Sequence, residues 1–274
     1  MKIAIIGSGI AGLTCAWRLA AQHQVTLFEA ASTPGGHTAT VDIATPQGTW
    51  AIDTGFIVYN DRTYPHFIGL LSELGIRGQK TQMSFSVHNP QSGLEYNGHS
   101  LSSLFAQRRN LLKPAFWGLL REIVRFNRLA KQALGGAFDP AATLQTFLER
   151  HRFSPFFARH YILPMGAAIW SSSLQEMRRF PLALFLRFFD NHGLLDIRQR
   201  PQWYVVPGGS REYVRALLVR SGDRLSLRLN TPVQNVIRGQ DGVTLQLATG
   251  EEHFDQAIFA CQDRKSTRLN SSHL

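Results

Sequence analysis

The chain has few of the features that mark secreted or metal-binding domains. Its 274 residues contain two cysteines, Cys15 and Cys261, which are too few for a disulfide framework or a cysteine-based metal site. No H-E-x-x-H motif, cysteine pair or carboxylate cluster suggests a metal. No secretion leader is evident at the start of the chain, and no apolar run approaches the length of about eighteen residues that spans a membrane. We therefore expect a cytoplasmic protein without bound metal.

Charge is scarce but unequal in sign. Charged residues make up 18% of the chain, hydrophobic residues make up 44%, and the formal net charge is +10. This composition excludes a disordered or fibrous protein. The positive balance favours an anionic partner, such as a phosphate-bearing cofactor, an acidic substrate or a lipid headgroup. Because no nucleic-acid-binding module is recognisable, we do not expect nucleic acid as a partner.

A strand, a glycine turn, a helix and a second strand open the chain. Residues 2–6 and 25–29 are apolar, strand-like runs, and residues 10–22 carry apolar side chains at helical spacing. Such a βαβ unit has parallel strands. Its turn fits the G-x-G-x-x-G pattern, which predicts these dinucleotide-binding residues: Gly7, Gly9, Ile10, Ala11 and Gly12.

Each part of this pattern has a physical purpose in dinucleotide binding. Gly7 allows the tight turn, Gly9 lets a pyrophosphate approach the backbone, and Gly12 allows close packing of helix and strand. The N–H groups and the dipole of the helix N-terminus attract the phosphate charge. Glu29, seventeen residues after Gly12, lies at the end of the second strand, where its carboxylate would accept hydrogen bonds from ribose hydroxyls. The alternative is a glycine-rich packing turn.

The residues after Glu29 bear on which dinucleotide is bound. Glu29 is followed by Gly35, Gly36 and His37, and this spacing resembles the extended fingerprint of the flavin amine oxidase superfamily. The resemblance implies FAD, with the glycine pair reaching its flavin side. The family usually has arginine where this chain has His37, which can still donate one hydrogen bond. NAD binding without flavin is the alternative, and it would require the glycine pair to be incidental.

Further segments extend the resemblance over residues 1–262. These are DTGFIVYN at 53–60, MSFSV at 83–87, YILPMGAAIWS at 161–171, NHGLL at 191–195 and PQWYVVPGGSREYV at 201–214. Together they look like a bacterial subgroup of FAD-dependent amine-oxidase-like proteins, described as predicted NAD/FAD-binding proteins. The chain is more distantly similar to protoporphyrinogen oxidases, phytoene desaturases and monoamine oxidases. Because the subgroup has been associated with modified fatty acid pathways, the resemblance implies a hydrophobic substrate, with a lipid as the leading suggestion.

The resemblance also carries over individual cofactor positions. Gly55 and Phe56 match the segment near the isoalloxazine, and Val233 matches the strand whose valine backbone brackets the adenine. Gly208-Gly209 matches a glycine pair that precedes a helix. Each also has a structural explanation, because Phe56 and Val233 could be core residues and the glycine pair a simple entry to a helix.

The predicted fold class is α/β. A Rossmann-like FAD-binding domain is formed by residues 1–62 and 202–262, and it encloses a mainly helical α+β substrate domain at 63–201. Helices are predicted at 64–75, 104–133, 142–151, 154–163 and 181–190, and a β ribbon lies around residues 83–98. The C-terminal part of the family fold is expected to be missing.

The predicted reaction is removal of a hydride from a C–N or C–C bond of a hydrophobic substrate to FAD. A flavin carries this chemistry itself, so the protein supplies orientation, desolvation and electrostatics. His160 and His192 are the ionisable candidates for a catalytic role, although a histidine beside phenylalanines is more often structural. A flavin-dependent isomerase and a non-catalytic fragment with weak dinucleotide binding are the alternatives.

Residues 101–134 contain seven basic residues and one acidic residue, Glu122. Within the predicted helix at 104–133, Arg121, Arg125 and Arg128 share one face. An apolar stripe is partly separate from them and consists of Phe116, Leu119, Leu120, Ile123 and Phe126. The pattern fits a basic amphipathic helix that contacts the inner face of a membrane peripherally. The alternative is an ordinary solvated face over a buried one.

The last twelve residues do not resemble the rest of the chain. One back-translation of Asp263–His273 resembles a ligation adapter of short-read sequencing libraries, so residues 263–274 are interpreted as an artefactual tail. The natural protein is then expected to continue beyond Gln262. Because the family completes its FAD site with later residues, the 274-residue chain is expected to have little or no activity by itself. Its oligomeric state is not predicted.

Overall fold

The computed structural model describes residues 1–98, 100–137, 139–196 and 200–261, which form two compact units. The first unit comprises Met1–Tyr59, His66–Lys80 and the described residues from Tyr204 onward. The second comprises Asn60–Pro65 and the described residues of Thr81–Trp203. The predicted tail at 263–274 lies outside the described residues.

The elements are named in chain order. The strands are β1 (Lys2–Ile6), β2 (Gln24–Phe28), β3 (Thr40–Thr45), β4 (Gly48–Asp53), β5 (Tyr59–Asn60), β6 (Gln79–Thr81), β7 (Ser86–Asn89), β8 (Leu94–Asn97), β9 (Trp203–Val205), β10 (Leu225–Arg228), β11 (Asn235–Arg238), β12 (Val243–Leu247), β13 (Gly250–Phe254) and β14 (Gln256–Phe259). The α-helices are α1 (Ile10–Ala20), α2 (Pro65–Glu73), α3 (Leu101–Leu104), α4 (Pro114–Leu134), α5 (Leu144–Arg150), α6 (Pro155–Phe157), α7 (Leu163–Trp170), α8 (Leu174–Arg178), α9 (Leu182–Asn191) and α10 (Arg211–Ser221).

A parallel sheet in the order β10-β2-β1-β14 is the centre of the first unit. The inner strands β1 and β2 are mostly buried apolar runs, because parallel strands with both faces covered carry little polar surface, whereas β10 and β14 at the edges are only partly buried. Ala4 and Ile5 are fully buried, and α1 turns Leu13 and Ala16 toward the protein interior. The predicted βαβ unit and the Rossmann-like α/β fold class are confirmed.

Two further antiparallel elements, the β11–β13 meander and the β3–β4 hairpin, also belong to this unit. β11, β12 and β13 form a meander, and β3 pairs with β4 in a hairpin. The meander buries Leu245 and packs Phe254 edge-on against Phe28, with ring centroids 5.8 Å apart. Phe28 ends β2, so this contact fixes the meander beside the end of the parallel sheet.

Segment His66–Lys80 belongs to the first compact unit, although the predicted substrate domain begins at residue 63. Phe67 on α2 explains the difference, because its ring packs edge-on against Phe56, Tyr59 and Tyr213. Residues 60–62 and 202–203 belong to the second unit, although they were predicted in the FAD-binding domain, and the predicted domain division stays a prediction. The assignment of the units to cofactor and substrate stays a prediction.

The second unit is mainly helical and contains an aromatic core. Phe126 of α4 is fully buried and contacts Phe147, Phe153 and Phe157. The predicted ribbon is present as the antiparallel pair of β7 and β8. α5 begins with a capping box in which Thr143 and Thr146 satisfy each other's backbone N–H groups.

Two predicted helices are interrupted in this unit. The helix predicted at 104–133 is divided into α3, a 3₁₀ turn at Arg108–Leu112 and α4, which starts at Pro114 because proline suits the first turn of a helix. The helix predicted at 154–163 begins as α6, widens into a π-helical turn at Ala158–Ile162 and continues as α7 to Trp170.

Candidate dinucleotide site

The glycine turn at the end of β1 is fixed by short backbone contacts. Gly7 has φ +104°, which favours glycine, and its N–H donates to the carbonyl of Phe28 at 2.8 Å. A Cβ on Gly12 would lie 1.9 Å from the Gly7 carbonyl oxygen, so only glycine permits this approach of α1 to the turn. A Cβ on Gly9, by contrast, would meet no described atom within 4 Å. Gly12 therefore serves packing, whereas Gly9 faces open space.

Glu29, at the end of β2, is held by the glycine turn. Its Oε2 accepts hydrogen bonds from the Ser8 N–H at 3.0 Å and the Ser8 hydroxyl at 2.6 Å. Its Oε1 accepts from the Ala31 N–H at 2.9 Å. Partial burial raises the pKa of Glu29, but the hydrogen bonds from Ser8, Ala31 and Ala30 outweigh it and leave the pKa below its usual value. The carboxylate is therefore ionised and fixed in direction at neutral pH.

The predicted glycine pair lies against the same turn. The Gly35 N–H donates to the Ser8 carbonyl oxygen at 3.0 Å and is 3.2 Å from the Ser8 hydroxyl oxygen. Gly36 has φ +61°, and a Cβ there would come within 3.1 Å of the Gly9 Cα. The glycine pair thus packs directly on the fingerprint, far from it in sequence but adjacent in space.

The Gly55 segment continues this arrangement. The Phe56 N–H donates to the His37 carbonyl oxygen at 3.0 Å, and a Cβ on Gly55 would lie 2.1 Å from the same oxygen. The His37 side chain is exposed. The Gly55 segment therefore contacts the backbone of His37, which follows the glycine pair that packs on Gly9.

Val233 lies just before β11, outside the strand predicted for it. It is partly buried against the apolar cluster of the meander. Its segment runs beside the end of β2, because the Thr231 N–H donates to the Glu29 carbonyl oxygen at 2.8 Å. The structure thus places Val233 on the Glu29 side of the site, in contacts that a core residue also makes.

A polar cluster that no sequence motif indicates connects the β3–β4 hairpin with the start of α10. Asp53, at the end of β4, accepts from the Ser210 N–H at 2.8 Å and hydroxyl at 2.7 Å, and from the Thr40 hydroxyl at 2.6 Å. Ser210 is fully buried and follows Gly208-Gly209 at the start of α10. Nearby, the Thr38 hydroxyl and the buried Tyr213 hydroxyl form a hydrogen bond. The glycine pair at 208–209 is therefore a helix entry, and Asp53 caps that helix from another element.

These residues fit a dinucleotide. α1 has no acidic residue in its first turn, and Gly9 at its start makes no side-chain cap. Ile10 and Ala11 are exposed there. The first N–H groups of the helix and the open side of Gly9 could hold a phosphate, and the fixed Glu29 carboxylate could accept hydrogen bonds from neighbouring hydroxyls.

The two candidate histidines differ in their surroundings within the second unit. The His192 Nδ1–H donates to the Phe188 carbonyl oxygen at 2.9 Å, and its ring stacks on Phe188. His160 is buried in the π-helical turn, and its Nδ1 has no hydrogen-bond partner among the described residues. Burial, followed by the charge of Arg159, lowers the pKa of His160. His192 has a structural hydrogen bond, whereas His160 is a neutral imidazole whose Nδ1 has no hydrogen-bond partner among the described residues.

Among the described residues, no group of three or more histidine, cysteine, aspartate or glutamate side chains could hold a metal ion. In the same part of the chain, no helix is both long and apolar enough to cross a membrane.

The fold and the glycine-turn site define a dinucleotide-binding α/β protein. Residues 10–265 match the family described as flavin containing amine oxidoreductase, so the chain belongs to that family. This membership confirms the predicted class, FAD-dependent oxidoreductases, and FAD as its cofactor.

Similar solved structures agree on the fold. Wild-type putrescine oxidase bound to putrescine is 19% identical, with a TM-score of 0.65, 98% of this chain covered and 60% of that chain. An oxidoreductase from Methanosarcina mazei is 15% identical, with a TM-score of 0.63, and the match covers 100% of this chain and 62% of that one. A proposed protoporphyrinogen oxidase from Exiguobacterium sp. 255-15 is 17% identical, with a TM-score of 0.61 and coverage of 98% and 61%. The chain thus spans about 60% of the length of these proteins.

Proposed function

We propose that the chain provides the FAD-holding part of an oxidoreductase that acts on a small hydrophobic molecule. One observation carries the proposal. Ser8 joins the Glu29 carboxylate to Gly35, while Gly36 packs against Gly9, whose own side faces no described atom. A glycine turn used only for packing has no need of an open second glycine beside a fixed acid.

Each residue of the site has a separate task in this proposal. The N–H groups at the start of α1 would hold the pyrophosphate, and the Glu29 carboxylate would accept hydrogen bonds from the ribose hydroxyls. Gly35, Gly36, His37, Gly55 and Phe56 would line the path toward the flavin, and the backbone of Val233 would contact the adenine. A bound flavin supplies the hydride acceptor, so the protein need only orient the substrate and exclude water.

The substrate class rests on the resemblance of the sequence to a subgroup associated with modified fatty acids. We propose a hydrophobic substrate, with a lipid as the leading class, oxidised at a C–N or C–C bond in the cytoplasm. His160 is the better supported candidate for proton transfer, because its buried Nδ1 has no hydrogen-bond partner among the described residues, while the Nδ1 of His192 donates to the Phe188 carbonyl oxygen.

The test compares two glycines of the same motif. Gly9→Ala should fold like the parent chain, since the added methyl meets no described atom, but it should bind FAD at least about tenfold more weakly by blocking the pyrophosphate. Gly12→Ala should instead lower the unfolding free energy, because its methyl would collide with the Gly7 carbonyl oxygen. FAD binding is measured by visible absorption and flavin fluorescence, and folding by circular dichroism.

The outcomes separate the alternatives. A folded parent chain that binds FAD, with loss of affinity in folded Gly9→Ala, supports the proposal. A folded parent chain that binds NAD in preference to FAD, or a Gly9→Ala variant with unchanged FAD affinity, overturns it.

A further inference from the structure

The apolar stripe predicted for membrane contact is already used by the fold. Phe116, Leu119 and Phe126 are each at most 1% exposed, and Leu120 and Ile123 pack against the same core. The stripe faces the interior of the second unit. A membrane cannot reach it without unfolding that unit, so this part of the predicted contact is wrong.

The opposite side of α4 carries a second set of apolar residues. Trp117 is 47% exposed and Val124 is 53% exposed, and the exposed Arg121 and Arg128 alternate with them at spacings of one helical turn. We call this row, together with Lys113 and the exposed side chains of the preceding 3₁₀ turn at Arg108–Leu112, the outer face. Large apolar side chains and arginines therefore share one solvent-facing surface.

The 3₁₀ turn adds the most exposed apolar side chain of this surface. Leu112 is 87% exposed and Leu111 is 43% exposed. The turn is fastened to α4, because the Trp117 indole N–H donates to the Leu111 carbonyl oxygen at 2.9 Å. Leu112 therefore lies on a turn that is hydrogen-bonded to α4, and in the chain it is followed directly by Lys113 and shortly afterwards by Trp117.

The charge of the outer face has one sign. Arg108, Arg121 and Arg128 are exposed, and none of them forms an ion pair with a described residue. Glu122, the single acid of this region, faces the other way and accepts from the Ser154 N–H at 2.8 Å. Arg125 and Lys131 are engaged within the unit, with the Arg152 carbonyl oxygen and with Asp196 respectively.

We propose that the outer face is a docking surface for an anionic lipid bilayer. Tryptophan and leucine favour the boundary between headgroups and acyl chains, and arginine and lysine are attracted to anionic headgroups. Leu112 and Trp117 enter the boundary, while Arg108, Lys113, Arg121 and Arg128 contact the headgroups. The proposal does not depend on FAD, since none of these residues belongs to the dinucleotide site.

The experiment measures sedimentation of the purified chain with vesicles, without added flavin. One set contains equal parts of phosphatidylglycerol and phosphatidylcholine, and the other contains phosphatidylcholine alone. Leu112→Glu tests insertion, and Val219→Glu is the matched control, because Val219 is 80% exposed on α10 of the first unit. A second readout uses brominated phosphatidylglycerol, which quenches a tryptophan that enters the boundary.

The parent chain and Val219→Glu should bind the anionic vesicles equally. Leu112→Glu should bind them at least about tenfold more weakly, because an anion replaces a leucine that enters the bilayer. Bromine quenching should be lost in Trp117→Phe. Binding of the parent to neither vesicle, equal binding of Leu112→Glu with unchanged circular dichroism, or quenching that persists without Trp117 overturns the proposal.

Discussion

The Ser8 hydroxyl donates a 2.6 Å hydrogen bond to Glu29 Oε2, and its oxygen lies 3.2 Å from the Gly35 N–H. A single buried side chain thus connects the first turn of the fingerprint, its acid and the glycine pair. Because Glu29 would use the same carboxylate for ribose hydroxyls, its direction must be fixed before a cofactor arrives. We therefore expect Ser8 to act as a positioning residue, although it occupies a variable position of the motif.

Ser8→Ala should weaken FAD binding while the chain remains folded. A hydrogen bond to a charged group contributes about 1.5–3 kcal/mol, so we expect the FAD Kd to rise about tenfold or more. The Ser8 backbone N–H still donates to Glu29, which limits the loss. Titration of flavin fluorescence measures the change, and Ser226→Ala, an exposed serine of β10, is the control. Equal Kd values for the two variants would show that Ser8 has no positioning role.

Glu29→Gln should reduce the loss of stability in acid. The folded pKa of Glu29 lies below its unfolded value, so its contribution is present above the unfolded pKa of about 4.3 and disappears as pH falls through the folded pKa. Urea unfolding of the chain without cofactor at neutral pH and at about pH 3 measures how much unfolding free energy is lost between the two pH values, that is, its slope with pH. This slope should be shallower in Glu29→Gln than in the parent chain, and in the exposed Glu149→Gln it should equal that of the parent. Identical slopes in all three proteins would contradict the prediction.

The sequence predicted the beginning of the fold well, because β1, the glycine turn and α1 are specified by local pattern. It failed at 104–133, where a continuous alternation of apolar and basic residues concealed the break before Pro114. It also failed at Ala158–Ile162, since a π-helical turn has no period of its own in the sequence. In each case, local periodicity was right about helical content and wrong about continuity.

In the site, too, residues close together in sequence were predicted, and a contact between residues far apart in sequence was not. Gly7, Gly9 and Gly12 were identified from their spacing, and the structure distinguishes packing at Gly12 from open space at Gly9. The contact of Asp53 with Ser210 was missed, because the two residues are 157 positions apart and form no motif. Only the aspartate before Gly55 and the serine after a glycine pair could have suggested it.

Asp53→Ala should destabilise the first unit without touching the fingerprint. The carboxylate caps α10 and accepts three hydrogen bonds from buried or partly buried donors, so we expect a loss of about 2 kcal/mol in unfolding free energy. Asp53→Asn keeps one acceptor oxygen and should lose less. Asp42→Ala, which removes an exposed partner of Arg211 in the same hairpin, is the control and should have the smallest effect. Chemical denaturation measures all three, and an effect of Asp53→Ala no larger than that of Asp42→Ala would rule out the cap.

His160→Leu should change stability over a different pH range. Burial lowers the folded pKa of His160 below its unfolded value of about 6.5, so the unfolded chain takes up the proton first as the solution is acidified. The parent should therefore lose stability as pH falls from about 6.5 toward the folded pKa, and His160→Leu should lose less. His66→Gln, at an exposed histidine of α2, is the control. Denaturant unfolding at closely spaced pH values measures the difference, which should be confined to this range, because the carboxylate of Glu29 titrates in more acidic solution. A variant that follows the parent at every pH would mean that the imidazole is solvated in the folded chain, and His160 would then lose its advantage over His192 as a proton acceptor.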